Sequence, residues 1–372
     1  MSTPTASLPP TLNANRRLDR WLRINADGTV TVRTGKVEIG QGIVSAMAQI
    51  AADELDVDYT RIRMVPADTS VSPDEGSTTG SRSIEEGGSA LRQVCAEVRD
   101  LLLQTAARRL NAGLESLTVK DGTIRVRARR ESATYWELAA EIDLAREATG
   151  QVSPKQSGEL ELVGKTVPRL DIPRKLTGGA FIHDLEFPGM LHGRVLRPPS
   201  YRATLISLDA AAARVMPGVE AVVREGNFVG VVAAREEQVI KAMQALARSA
   251  VWDEQADLPD ADAMPEFLRA QPAEDELLRE KSSESTRGGK ALVSTYTRPY
   301  LAHASIGPSC AVAWWHENQL DVWSHSQAIH ALRAELAKTL QLDAANIVVR
   351  HAEGAGCYGH NGADDAALDA VL

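Results

Sequence analysis

The sequence predicts an α+β protein built from several domains. Three observations predict it. Short alternating strands are bounded by Asp-Gly turns. Longer stretches space their apolar residues at helical period. The chain has 372 residues, more than one core usually fills, so two or three domains are expected.

Taken in order, residues 1–17 open polar and proline-bearing and are expected to form a disordered leader. Asn25-Ala26-Asp27-Gly28 turns into alternating Thr29-Val30-Thr31-Val32, a hairpin signal. Ile43, Met47, Ile50, Ala51 and Leu55 predict a helix over 43–55, and 61–66 alternates as a strand. Residues 86–110 carry Leu91, Val94, Cys95, Val98, Leu101 and Leu102 on one stripe of a long helix. Residues 117–126 form a second hairpin, turning at Asp121-Gly122. This first segment spans 18–150. The second, 164–252, reads as a small mixed unit: a strand to Val195, a helix over 210–216 stopped by Pro217-Gly218, strands at 219–223 and 229–233, and a helix over 236–250. Charged, Pro- and Ser-rich 253–290 is expected to be a linker. Segment three, 291–372, is expected to open with a strand, then form a hairpin around Glu317-Asn318, a helix over 331–340 and a strand over 347–351. The chain then stops inside a helical stretch without a C-cap signal, so it is expected to be a fragment, or to have a partner supply the rest.

A formal charge of −9 with interspersed signs argues against nucleic-acid binding. Cys95, Cys310 and Cys357 are far apart and form no CxxC pair, which excludes an encoded zinc or iron–sulfur site and a disulfide scaffold. No apolar run has membrane-spanning length. Arg16-Arg17 is not followed by an apolar stretch and is not read as a twin-arginine signal.

Four motifs carry candidate chemistry. Gly40-Gln41-Gly42 enters a helix. Its glycines allow close backbone approach, and the helix start offers N–H groups to a phosphate or polar ring edge. The plain alternative is a tight turn. Thr78-Thr79-Gly80-Ser81-Arg82-Ser83 precedes the long helix as an anion site or as N-caps. Gly354, Gly356, Gly359 and Gly362 lie between strand and helix. They form a backbone cradle or a plain loop, and lack the Lys-Ser/Thr of a P-loop. Ser324-His325-Ser326-Gln327 follows a strand, where ligand sites or polar turns occur. Cys357 and His360 alone make a weak metal set, and no metal is expected to be bound directly by protein ligands.

In order, these motifs resemble one family, the molybdenum hydroxylases (xanthine dehydrogenase/aldehyde oxidase superfamily). Residues 35–42, Ala52-Asp53-Glu54-Leu55, Ala67-Asp68-Thr69 and Gly80-Ser81-Arg82-Ser83 resemble its molybdopterin-binding subunit. Residues 171–178 with Pro188-Gly189-Met190-Leu191 resemble the start of its α/β hammerhead domain, placed at 164–252. Ala302-His303, Pro308, Ser326-Gln327 and Gly356-Cys357-Tyr358-Gly359 resemble the first part of its molybdenum-binding domain. The GQG block precedes the hammerhead segment, as in the isoquinoline 1-oxidoreductase and nicotinate dehydrogenase large subunits. In xanthine dehydrogenases it follows.

The resemblance implies molybdopterin cytosine dinucleotide as cofactor. It implies that Gly40, Gln41 and Gly42 contact the pterin, that Ser81 and Ser83 hold phosphate, and that Gln327 lies beside the molybdenum. Gly356, Cys357, Tyr358 and Gly359 would approach the metal through the backbone; Cys357 stands where glycine is common. The implied reaction is hydroxylation of an N-heteroaromatic or aldehyde, with water as oxygen source. Electrons would leave through [2Fe-2S] clusters in a small partner subunit, towards an acceptor such as a cytochrome c. The family's general-base glutamate is expected beyond Leu372, so no acid or base is assigned and the isolated chain is expected to be inactive. Placement is expected in the cytoplasm, or in the periplasm or at the membrane through partners. The opposing expectation is a truncated, non-catalytic homologue.

Overall fold

The protein is described by a computed structural model for residues 8–179, 181–255, 258–280, 290, 292–359, 361 and 366–372. It divides into two compact units, Met1–Pro188 with Ser305–Leu372, and Gly189–Ala304. The architecture is mixed α+β, as expected.

The first unit opens with α1 (Pro10–Ala14), within the stretch expected to be a leader. Leu12 is fully buried in the first core, and Trp21 Nε1 donates to Asn15 O at 2.8 Å; these contacts order residues 10–15. The remainder of the expected leader, 1–7, lies outside the described residues. Strands β1 (Leu22–Ile24) and β2 (Val30–Arg33) form the hairpin around Asp27-Gly28, and β3 (Ile62–Val65) joins parallel to β2. Between them runs α2 (Ile43–Leu55). A long helix, α3 (Ser89–Leu110), packs on α2 and is entered through a π-helical turn, Ser83–Gly88. The stretch expected to begin one regular helix at 86 is therefore wider in its first turns, a distortion common near functional sites. A meander follows, of β4 (Leu117–Lys120), β5 (Thr123–Val126) and β6 (Ser132–Thr134). Then α4 (Tyr135–Leu138) starts at a capping box of Thr134 and Glu137. Ile43, Met47, Leu55, Leu91, Val94 and Leu102 are buried in the first core, each contributing roughly 1.5–3 kcal/mol.

From about 147 to 171 the chain runs with little regular structure, strapped to α2 and α3 by their polar side chains. The Glu97 carboxylate accepts from Thr149 N and Gly150 N. Glu54 accepts from Lys155 N. Asp53 accepts from Glu161, Leu162 and Val163 N at 3.1, 3.0 and 2.7 Å. Ser45 Oγ accepts from Leu170 N, and Tyr59 Oη donates to Pro168 O. Backbone groups without a ladder are satisfied by side chains instead. The strap ends in α5 (Ile172–Thr177).

In the second unit, β7 (His192–Val195), β10 (Phe228–Ala233) and β9 (Val219–Glu225) form one antiparallel sheet in that order. Strands β8 (Thr204–Ser207) and β11 (Val251–Asp253) form a second. Helices α6 (Ala211–Arg214) and α7 (Glu236–Ser249) accompany them, and Leu205, Val229, Val231, Val239 and Leu246 make the core. The unit's limits, 189 and 304, differ from the expected 164 and 252, because 164–188 is tied to the first unit. Helix α8 (Met264–Arg269) lies in the expected linker, of which 281–289 falls outside the described residues. The strand expected to open segment three is not formed: 292–304 has no regular secondary structure and is exposed.

The chain returns to the first unit with the hairpin β12 (Ala311–His316) and β13 (Gln319–Ser324), turning at Glu317-Asn318. Helix α9 (Ile329–Leu340) leads to β14 (Ile347–His351), parallel to β13, and α10 (Ala366–Val371) closes the described chain. The second core includes Leu320, Val322, Leu336 and Val349 together with Val37 and Ala67. Ala67-Asp68-Thr69 lies along β14: His351 N donates to Ala67 O at 2.8 Å and Thr69 N to Val349 O at 3.0 Å. Arg350 Nε pairs with Asp68 at 3.1 Å.

Candidate functional site

Two parallel strand pairs, β2 with β3 and β13 with β14, lie in the first unit. The motif loops leave their carboxyl ends, where open α/β sheets place ligands. Residues 34–42 follow β2, 66–83 follow β3, 325–327 follow β13 and 352–359 follow β14.

The first two loops are knitted together by buried polar groups. At Gly35 a Cβ would fall 2.3 Å from Pro73 O, so only glycine lets the two backbones meet. Glu75 Oε2 accepts from Thr34 Oγ1 and Gly35 N, both at 2.6 Å. Lys36 is fully buried, and its Nζ donates to Glu75 O at 2.6 Å and Ser77 O at 3.1 Å. Val37 N donates to Thr78 Oγ1 at 3.0 Å. Burial pushes the Glu75 carboxyl above its ordinary value, against the pull of Thr34, Gly35 and Lys36. A Cβ at Gly87, in the π-helical turn, would lie 2.4 Å from Glu75 Oε1. The same buried glutamate thus fixes the loop and the entry to α3.

The Gly40-Gln41-Gly42 turn has positive φ at both glycines, the conformation glycine supplies. Its helix start is not open to an anion, as the sequence suggests. Buried Glu38 accepts from Gly40 N (2.9 Å), Gly42 N (2.8 Å) and Val44 N (3.2 Å), so a carboxylate already caps the positive end. Gln41 folds onto its own turn: Nε2 donates to Val37 O at 3.0 Å, and Oε1 accepts from Ile39 N at 2.7 Å. Gln41 and Gly40 are solvent-exposed, as is Ser81, while Ser83 is half-buried in the π-helical turn.

Gln327 is the junction. Its Nε2 donates to Thr78 O at 2.6 Å, its O accepts from Thr78 N at 2.9 Å, and its Oε1 accepts from Cys357 Sγ at 2.7 Å. Cys357 Sγ in turn accepts from Gly359 N at 3.1 Å. The second, third and fourth motif loops therefore meet at one buried amide, and Thr78 links it to Val37 beside the first. Around the last loop, Gly356, Tyr358 and Gly359 hold positive φ, and Gly354 packs on the His325 ring, 3.0 Å from a would-be Cβ. His360 and Gly362 lie outside the described residues. His351, the last residue of β14, is buried, with its pKa pushed down to about 3 by burial and then by His325. His351 Nε2 and Asn361 Oδ1, near this loop, are among several buried side-chain atoms of the described residues without a hydrogen-bond partner.

A charged cluster borders the loops. Arg169, at the end of the strap, pairs with Asp171 (2.5 Å) and approaches Glu38 (3.6 Å). Lys175 Nζ lies 2.6 Å from both Asp171 and Glu353. Arg169 and then Lys175 hold the Asp171 carboxyl far below its ordinary value, against the opposing effect of burial. Burial raises that of Glu353, with Lys175 opposing. Sequence reasoning passed over Lys36, Glu38, Glu75, Arg169 and Lys175. The available signal was a Lys and a Glu inside the 35–42 motif: the partners of Lys36 lie about forty residues along the chain, beyond the reach of spacing, whereas those of Glu38 are local backbone amides two to six residues ahead.

Residues 4–167 and 287–372 each match a molybdopterin cofactor-binding domain family. The chain is 37% identical to a nicotinate dehydrogenase subunit from Pseudomonas putida over 386 residues, covering all of this chain and 32% of that protein. It is 31% identical to the beta subunit of isoquinoline 1-oxidoreductase from Brevundimonas diminuta over 265 residues, covering 60% of this chain and 34% of that protein. Among solved structures, quinoline 2-oxidoreductase from Pseudomonas putida 86 matches with a TM-score of 0.43 at 23% identity, covering 53% of this chain and 31% of that one. The chain spans about a third of the length of these two curated relatives.

Proposed function

Because the chain belongs to the molybdenum-hydroxylase superfamily through its molybdopterin cofactor-binding domains, we propose that its loops hold a molybdenum–pterin cofactor within a larger oxidoreductase. The observation that carries the reading is the convergence of separate loops on Gln327. The residues fit such a group. Backbone cradles at Gly40 and Gly80 leave open space where a Cβ would stand or meet only a side chain, and two buried polar atoms, on His351 and Asn361, face no protein partner among the described residues.

In this reading the Gly40-Gln41-Gly42 turn approaches the pterin, with Gln41 holding the turn closed or reopening to meet the ring. Ser81 and Ser83, on the loop stiffened by Lys36 and Glu75, receive phosphate. Gln327 presents its amide beside the metal, and residues 356–359 approach through their backbone. The cytosine dinucleotide form suits the expectation. When bound, the group supplies Lewis-acid and two-electron redox chemistry with water as oxygen source. This chain's residues orient it and exclude bulk water. Substrates are N-heteroaromatics, nicotinate-like by similarity to the first relative named above, or aldehydes, and electrons pass to a small [2Fe-2S] subunit and on to an acceptor such as a cytochrome c. No described helix is long and apolar enough to cross a membrane.

The test is to purify the protein with its native partners and measure molybdenum and the fluorescence of released, oxidised pterin. Both are expected in stoichiometric amount, and Gln327→Ala is expected to lower both. Absence of pterin from the wild-type protein would sink the proposal and favour the non-catalytic homologue.

A further inference from the structure

Lys175 stands where three segments of the site meet. Glu38 belongs to the Gly40-Gln41-Gly42 turn, Asp171 to the end of the strap, and Glu353 to the start of the glycine-rich loop. Each brings a carboxylate oxygen within 4.8 Å of the others. The Lys175 ammonium bridges two of them at 2.6 Å each, and Arg169 covers the third. An ammonium thus already spans the position a metal ion would take. The cluster counts three negative charges against two positive ones, and the Lys175 side chain is only 15% exposed, so screening by water is slight. Removing one partner from such a buried set leaves like charges uncompensated.

We propose that Lys175 is a positioning residue for the glycine-rich loop. Its ammonium holds Glu353, and with it residues 353–359, against Asp171 at the end of the strap, and Arg169 links Asp171 to Glu38 and the turn at 40–42. Among the described residues, Ile182 N also ties to Glu353 O at 2.7 Å, and Cys357 Sγ to Gln327 Oε1 holds the loop farther along. Without the ammonium, Glu353 faces Glu38 and Asp171 with Arg169 alone to balance them, and the loop moves outward. The effect on cofactor rests on the reading above; the clamp itself does not.

The test is hydrogen exchange of peptides covering 352–359, with pterin content measured in parallel, in the protein purified with its partners. Lys175→Met is expected to speed exchange about tenfold or more, and Lys175→Arg to stay within about threefold of wild type. Glu353→Gln added to Lys175→Met removes the repulsion and is expected to bring exchange back to about the wild-type rate. A purely packing role would not be rescued this way. If Lys175→Met fails to fold, the double variant decides: wild-type-like exchange supports the clamp, and failure to fold overturns it. Unchanged exchange in Lys175→Met overturns it outright. Faster exchange with pterin fully retained overturns the link to the cofactor. A wild-type protein without pterin overturns the functional reading instead, and the exchange result still judges the clamp.

Discussion

Replacing Asp53 by alanine tests whether the strap is held by carboxylates. Asp53 is 4% exposed and accepts three backbone N–H groups, from Glu161, Leu162 and Val163. A hydrogen bond to a charged group contributes about 1.5–3 kcal/mol. The three donors sit on exposed or half-exposed residues, so water takes up the freed groups and the lower end applies. At ~1.5 kcal/mol apiece the loss is about 4.5 kcal/mol, a roughly 2,000-fold rise in the local opening constant. The strap opens locally, so a melt of the whole protein reads this loss poorly. The assay is therefore hydrogen exchange of amides 161–163 in the purified protein, Asp53→Ala against wild type. Asp53→Asn keeps one acceptor oxygen and is expected to lose about half as much. If these amides exchange in Asp53→Ala within about threefold of wild type, the carboxylate is not what holds the strap.

His351 gives a pH dependence. Its pKa in the fold is lowered to about 3 from 6.5, so unfolding takes up a proton between those values. Stability is complete above about pH 6.5 and falls by up to about 1.4 kcal/mol per unit towards pH 3. His330, also held down by burial, acts in the same sense, so the comparison is wild type against His351→Asn, whose denaturation midpoint should fall less between pH 7 and pH 5; equal slopes would refute it. Gly87→Ala places a Cβ 2.4 Å from Glu75 Oε1. It is expected to cost about 2 kcal/mol or more, read as a lower melting temperature, and Glu75→Ala in the same chain should recover part of it. Cys95 is fully buried, with its thiol pushed well above the ordinary range by burial. It should resist a thiol reagent in native protein while half-buried Cys357 reacts, checked by mass spectrometry of the labelled peptides.

Local signals made the regular elements legible. The 43–55 helix appears with the expected limits because its apolar spacing and the glycine before it agree. Both Asp-Gly hairpins and the Glu317-Asn318 turn form as read. The motif loops were visible as glycine clusters, and the structure brings three of them together at Gln327. Interactions between distant segments were not legible. Lys36 reaches carbonyls about forty residues away. Glu38 is a local exception: it caps a helix end two to six residues ahead that the glycine pattern presents as open to a ligand. The strap has no periodicity of its own, since its partners are side chains on other elements. The Thr134–Glu137 capping box was legible in principle, as a Thr-x-x-Glu signature. The strand expected to open segment three is absent from the described residues 292–304, since a β-favouring composition does not form a strand without a neighbouring one.

The grip on residues 147–171 falls mainly on main-chain amides and carbonyls, which every residue except proline presents alike. Homologues can therefore rewrite most letters of this stretch while its length stays fixed, apart from Lys155, Arg169 and Asp171, whose side chains make ion pairs of their own. Deleting one residue between Gly150 and Glu161 would shift every later amide away from a carboxylate anchored on a rigid helix, and would carry Asp171 and Lys175 out of place with them. In an alignment, this stretch should show poor identity and few gaps.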